Sequence, residues 1–166
     1  YFPISLGINA DAALTAKQLY TEVKKQRINL NIKDWTNSYL KEKYKFINNR
    51  NKIKSKNSPI QPSGLFKELR KVLPKNTAIT LDAGTLCLQA TDSLEYYDPP
   101  SLFTPLDFGL VGFSFACGLG VKLAKPNKTV VSLMGDGGFG MTISELSTAV
   151  EYKINTITIV MNNKSW

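Results

Sequence analysis

Two apolar runs near the end of the chain each close on a polar motif, and the interval between those motifs is the tightest constraint in the sequence. Leu133-Met134-Gly135-Asp136-Gly137-Gly138-Phe139 ends the first run and Met161-Asn162-Asn163 ends the second. Twenty-four residues, 138–161, separate Gly137 from Asn162. That length fits one βαβ unit. Residues 129–134 read as a buried strand, 135–140 as a turn, and 156–161 as a second buried strand rich in β-branched residues. Thr142-Ile143-Ser144-Glu145 has the pattern of a capping box, opening a helix with Ile143, Leu146, Ala149 and Val150 inward. A crossover of this kind is right-handed and makes its strands parallel neighbours. Open α/β sheets bind ligands at the carboxyl ends of such strands, where the spacing places Asp136 and the carboxamides of Asn162 and Asn163.

The preceding hundred residues fit the same class. Ser63 is the expected N-cap of a helix carrying Leu65, Phe66, Leu69, Val72 and Leu73, stopped by Pro74. Residues 77–81 form a short strand ending at Asp82-Ala83-Gly84-Thr85, and 91–107, with Pro99, Pro100 and Pro105, read as a loop. Residues 109–124 alternate glycines with apolar residues, which lets a helix approach a sheet or a ligand closely. Asp11 is placed to cap a first helix bearing Leu14, Leu19 and Val23. Residues 33–56 are a polar connection, helical and then irregular. The resulting expectation is an α/β fold: a parallel open sheet with helices on both faces over 58–166, incomplete with three clear strands, preceded by 1–57.

Charge divides at the same place. Residues 1–58 hold twelve Lys/Arg against four Asp/Glu, whereas 59–166 hold nine of each. The basic stretch 41–56, with Tyr44 and Phe46 interleaved, raises nucleic-acid binding. It lacks Arg pairs and any RNA-recognition signature, so a solvated helix face or linker is the better reading. The chain has no histidine, which excludes a Ser-His-Asp triad, a Cys-His pair and a histidine zinc site within it. Cys87 and Cys117 stand thirty residues apart in apolar surroundings without metal-ligand spacing, as small buried thiols in a reducing, cytoplasmic setting. No apolar stretch reaches the length of a membrane span. Starting at Tyr1 with no charged-then-apolar leader, the chain is expected to be a piece of a longer one.

The glycine motif admits two chemistries. The amides of Gly137, Gly138 and Phe139 lie at or near a helix N-terminus, where unpaired donors and a positive partial charge favour phosphate. Gly135-x-Gly137-x-x-Gly140 also matches a dinucleotide fingerprint. Asp136 would then repel a bare pyrophosphate, and the ribose-binding acid expected roughly 20 residues on is replaced by Asn162-Asn163. A magnesium ion removes both objections, because it takes oxygen ligands from one or two protein groups and completes its shell with substrate phosphate. Asp136 supplies the charge and the Asn163 amide oxygen a second ligand.

Gly135-Asp136-Gly137, twenty-four residues, then Asn162-Asn163 resembles the signature of thiamine-diphosphate-dependent enzymes, with the acetolactate synthase and 2-oxoacid decarboxylase group the nearest in pattern. The likeness spans 58–166, while 1–57 resemble the tail of that family's central domain plus a basic linker. Asp82-Ala83-Gly84-Thr85 is similar to the family's diphosphate-contacting turn, and residues 109–113 to its aminopyrimidine segment. The resemblance implies that Asp136 and Asn163 hold magnesium with the Ser165 carbonyl. Gly135 is counted with the cofactor-binding residues, and Gly137, Gly138 and Phe139 donate to the diphosphate, with Gly84 and Thr85 opposite. The Gly109 carbonyl accepts from the pyrimidine amine, and Val111 is the apolar wedge that bends the cofactor. It further implies thiamine diphosphate and Mg²⁺ as cofactors, with FAD an open question, a small 2-oxo acid substrate, and a homodimer or homotetramer of the parent protein. The activating glutamate belongs to an N-terminal domain, so no catalytic residue is expected among these 166.

Two departures qualify the likeness. Val111 is smaller than the residue usual at the wedge, and Thr85-Leu86 replaces a polar pair common in acetolactate synthases. Bland readings stand beside each assignment: Asp136 as an Asp-Gly turn residue, Thr85 as a residue following a strand-end glycine, Val111 as core. Glu145 reads as a helix cap and Asp82 as structural.

Overall fold

The computed structural model describes residues 3–28, 31–51 and 60–164. The chain divides into two units, Tyr1–Ile47 and Asn48–Trp166. The boundary expected near residue 57 lies outside the described residues.

In the first unit α1 (Ala12–Lys25) begins where expected. Asp11 is extended, and its Oδ1 accepts from the Leu14 N–H at 2.8 Å. Lys24 and Lys25 occupy the last turn, where the helix dipole favours cations. Leu14, Leu19 and Val23 are all exposed in this chain. α2 (Lys33–Asn51) turns the polar connection into a helix, on which Trp35 stacks on Tyr39 one turn later, 5.8 Å between centroids.

The second unit is a βα alternation. Its elements are α3 (Pro62–Val72), β1 (Ala78–Leu81), α4 (Thr85–Ser93), β2 (Leu102–Phe103), α5 (Phe113–Ala124), β3 (Val130–Gly135), α6 (Asp136–Thr142), α7 (Glu145–Glu151) and β4 (Ile157–Met161). The strands form one parallel sheet in the order β2-β1-β3-β4. β1 and β3 lie in the middle and are buried on both faces, as continuous apolar runs in parallel sheets are.

Pleat alternation sorts the core into two layers. Ile79 and Leu81 of β1 and Val131 and Leu133 of β3 face one way, packing with Phe66 of α3 and Cys87 and Ala90 of α4. Ala78, Val130 and Met134 face the other, against Val121, Phe115 and Leu119 of α5. Helices therefore cover both faces, as expected. Removing one methyl from the sheet's centre, Ile79→Val, should cost about 0.5–1.5 kcal/mol, read as a lower urea midpoint with an unchanged slope.

Six local expectations are corrected. α3 starts at Pro62, with Gln61 rather than Ser63 as N-cap, because proline's fixed φ suits the first helical position. The 91–107 loop contains β2, only two residues long, hydrogen-bonded to β1. The 135–140 turn is instead the start of α6, which follows β3 without a loop. The capping box does not form. Ser144 is the N-cap without a side-chain bond, and Glu145 accepts from the Thr148 hydroxyl at 2.8 Å. Ile143, Leu146 and Val150 are exposed, leaving Ala149 as the residue of that face packed on the core. β4, expected to be buried, is half-buried because it is the last strand of this sheet. Among the described residues no helix is long and apolar enough to cross a membrane.

Both cysteines are free thiols; Cys87 is buried with its Sγ 3.3 Å from the Thr104 hydroxyl, and Cys117 is half-buried. Burial pushes the Cys117 thiol up, which keeps it protonated and a poor nucleophile.

Candidate functional site

The chain passes from β1 to β2 on one side and then returns to place β3 on the other, so the sheet's order reverses between β1 and β3. Crevices at such switch points, beyond the carboxyl ends of the strands, are where open α/β sheets bind ligands. A cleft of about 280 Å³ lies there.

Three strand ends build it. Ala83, Gly84, Thr85 and Leu86 follow β1; Gly135, Asp136, Gly137 and Gly138 close β3 and open α6; Met161 and Asn163 finish β4. Val111, from the segment before α5, supplies an apolar wall. The local geometry follows from the residue types. Gly84 is the N-cap of α4 at φ 108°, ψ −173°, a conformation essentially reserved for glycine. Gly135 is the N-cap of α6 and has no side chain to cap it, so the first amides of α6 are left for other partners. Asn162 and Asn163 have separate tasks: the Asn162 Oδ1 accepts from the Lys164 N–H at 2.8 Å, closing the chain after β4, while Asn163 lines the cleft.

Most of the residues singled out from the sequence meet in this one cleft: Gly84, Thr85, Val111, Gly135, Asp136, Gly137, Gly138 and Asn163. Two do not line it. Gly109 lines a smaller neighbouring cavity of about 150 Å³, which shares Ala83 and Gly84 with the first. The Phe139 ring packs edge-on against Phe115, 5.9 Å between centroids, and joins the core. Ser165 lies outside the described residues. Sequence reasoning missed Ala83, Leu86 and Met161 as cleft residues. Each adjoins a recognised motif, but apolar side chains carry no chemical signal of their own. It also assigned Asp82 to structure without seeing what it holds: this buried carboxylate accepts from the Gly112 and Ser114 N–H groups, both at 3.1 Å.

The donor set determines what the cleft can take. It offers one carboxylate (Asp136), one carboxamide (Asn163), the Thr85 hydroxyl and backbone groups, with no imidazole or thiolate, which suits a hard cation. Among the described residues no cluster of three or more His, Cys, Asp or Glu could hold a metal. A cation here therefore needs oxygens from its ligand, as magnesium commonly does with diphosphates.

Comparison with known proteins identifies the family. Residues 82–166, just over half of the chain, match the family model described as "Thiamine pyrophosphate enzyme, C-terminal TPP binding domain". The chain belongs to this family. The family match removes the dinucleotide reading of the glycine motif. Among its relatives is the sulfoacetaldehyde acetyltransferase of Castellaniella defragrans, 27% identical over 98% of this chain and 27% of that protein. Another is the probable acetolactate synthase large subunit of Methanococcus aeolicus, 32% identical over 98% of this chain and 30% of that protein. The Rhodococcus jostii RHA1 thiamine diphosphate-dependent 4-hydroxybenzoylformate decarboxylase superposes with a TM-score of 0.61 at 27% identity. It covers 66% of this chain and 21% of that one. The chain thus spans under a third of the length of the curated relatives it matches.

Proposed function

We propose that this thiamine pyrophosphate family chain is the cofactor-binding portion of a magnesium-dependent enzyme acting on 2-oxo acids, with acetolactate synthase-like chemistry: decarboxylation of pyruvate followed by carboligation. The observation that carries the reading is the cleft itself, where Asp136 and Asn163 meet Gly84 and Thr85 across the switch point. Similarity to acetolactate synthase large subunits over nearly the whole chain supports the choice of substrate class.

In this reading Asp136 and Asn163 hold Mg²⁺, with the Ser165 carbonyl as a main-chain ligand. The Gly137, Gly138 and Phe139 amides donate to the diphosphate, and Gly84 and Thr85 close the opposite side. Val111 bears on the middle of the bound molecule, and the Gly109 carbonyl accepts from its amine. Thiamine diphosphate, when bound, supplies the carbanion chemistry, and the chain supplies binding and orientation. The group that activates the pyrimidine, the contacts that choose among 2-oxo acids, and a second copy in a homodimer or homotetramer belong to the parent protein.

Calorimetric titration of thiamine diphosphate into the folded chain, with and without Mg²⁺, tests this. Saturable binding that requires the metal is expected. Equal binding with and without Mg²⁺, or none under either condition, would overturn the proposal.

A further inference from the structure

Asp82, the first residue after β1, is only 3% exposed, and a carboxylate so placed needs partners for both oxygens. Its Oδ2 accepts from the Gly112 N–H and its Oδ1 from the Ser114 N–H, each at 3.1 Å. Gly112 is the N-cap of α5 at φ 87° and has no side chain to satisfy the amides of that turn. The acid from the neighbouring strand end caps α5 in its place. α6 abuts the same carboxylate from another direction. A Cβ on Gly138 would lie 1.8 Å from Asp82 Oδ2 and 2.9 Å from its Cγ, so this position accepts nothing larger than glycine.

One carboxylate therefore touches two structures that line the cleft. The first is the segment reaching Gly112, which carries Val111; the second is the opening turn of α6, which carries Asp136 and Gly137. Asp82 itself does not line the cleft. Resting on the proposed function, we infer that Asp82 is a positioning residue, which sets the spacing between the part of the site that meets the ring portion of thiamine diphosphate and the part that meets its diphosphate. The buried hydroxyls beneath it hold α5 at the same level: Ser114 Oγ donates to the Thr80 carbonyl at 2.8 Å, and Thr80 Oγ1 donates to the Ser114 carbonyl at 2.9 Å. With α5 fixed to β1 in this way, the carboxylate governs the last few residues before the helix rather than the helix as a whole.

Two ligands separate this role from plain helix capping. Thiamine diphosphate spans both parts of the cleft, whereas inorganic pyrophosphate with Mg²⁺ engages the α6 part alone. Asp82→Asn keeps the volume but offers one acceptor and sets an NH₂ against a backbone N–H. It should lower thiamine diphosphate affinity tenfold or more while leaving magnesium-pyrophosphate affinity within about twofold, the bound arrangement being one of strict spacing. Should Asp82→Asn not fold, Asp82→Ser keeps one acceptor without crowding Gly138, and the same split is expected of it. Equal losses for both ligands would reduce Asp82 to a structural cap and overturn the inference, as would unchanged affinity for both. A wild-type chain that binds magnesium-pyrophosphate but not thiamine diphosphate would overturn the proposed function and this inference with it. Wild-type binding followed by no selective loss in the variants would overturn the inference alone.

Discussion

Asp136→Ala is expected to weaken Mg²⁺-dependent binding of thiamine diphosphate by a hundredfold or more, with the fold intact. Asp136 is the acidic side chain in the cleft, and it stands where β3 passes directly into α6. Without it the cation keeps a neutral carboxamide and backbone oxygens but no charged protein ligand. Outer-shell partners alone commonly cost about 10–100-fold in metal affinity, so loss of a charged ligand should exceed that range. Asp136 is half-buried, and its side chain makes no hydrogen bond or ion pair among the described residues, so stability should change little. Asp136→Asn, which keeps an oxygen but not the charge, should fall between alanine and wild type. Titration calorimetry across a magnesium series gives the comparison directly. Wild-type affinity in the alanine variant would mean that Asp136 is a turn residue and that the cleft takes its ligand by other means.

The second large effect concerns the layer beneath the site. Gly118→Ala should destabilise the chain by about 2 kcal/mol, although alanine is the better helix former by roughly 1 kcal/mol. An added Cβ at Gly118 would lie 2.2 Å from Ser132 Oγ and 3.4 Å from Thr80 Oγ1. The serine hydroxyl cannot rotate away without loss, because it sits 2.9 Å from Thr80 Oγ1 and 3.3 Å from the Ser114 carbonyl, in hydrogen-bond reach of both. Overpacking typically costs about 1–3 kcal/mol, and a buried polar group left unpaired costs a similar amount. The double variant Gly118→Ala/Ser132→Ala removes the obstruction, and Thr80 retains the Ser114 carbonyl as acceptor at 2.9 Å. It should therefore be more stable than Gly118→Ala alone, a non-additivity that urea unfolding of the four proteins would measure. Additive losses would show that the α5–sheet contact yields more easily than these distances imply.

The motif at the end of the chain was legible because two constraints coincide there. A strand's length and a helix's length leave few ways to span twenty-four residues, and an acid paired with a carboxamide at such positions limits the ligand chemistry. The βα alternation, the central strands and the Asp11 cap could be read for the same reason, since each depends on periodicity or on a side chain bonding within four residues. The capping box at Thr142 failed because its residues are already committed: Thr142 is the last residue of α6, and the new helix starts only at Glu145. A local pattern cannot know that a preceding helix has taken its N-cap position.

Sequence alone established the fold class, the family resemblance and the residues that gather at the cleft, because spacing and side-chain chemistry are properties of the chain itself. Only the tertiary structure decided which neighbours those residues meet. It put Gly109 in an adjoining cavity, turned the Phe139 ring into the core, and made Gly138 the partner of an acid fifty-six residues earlier. Asp82 shows why. A buried carboxylate serving two amides on another element is invisible to any local pattern, since its partners, Gly112 and Ser114, come within reach only when β1 and α5 pack together.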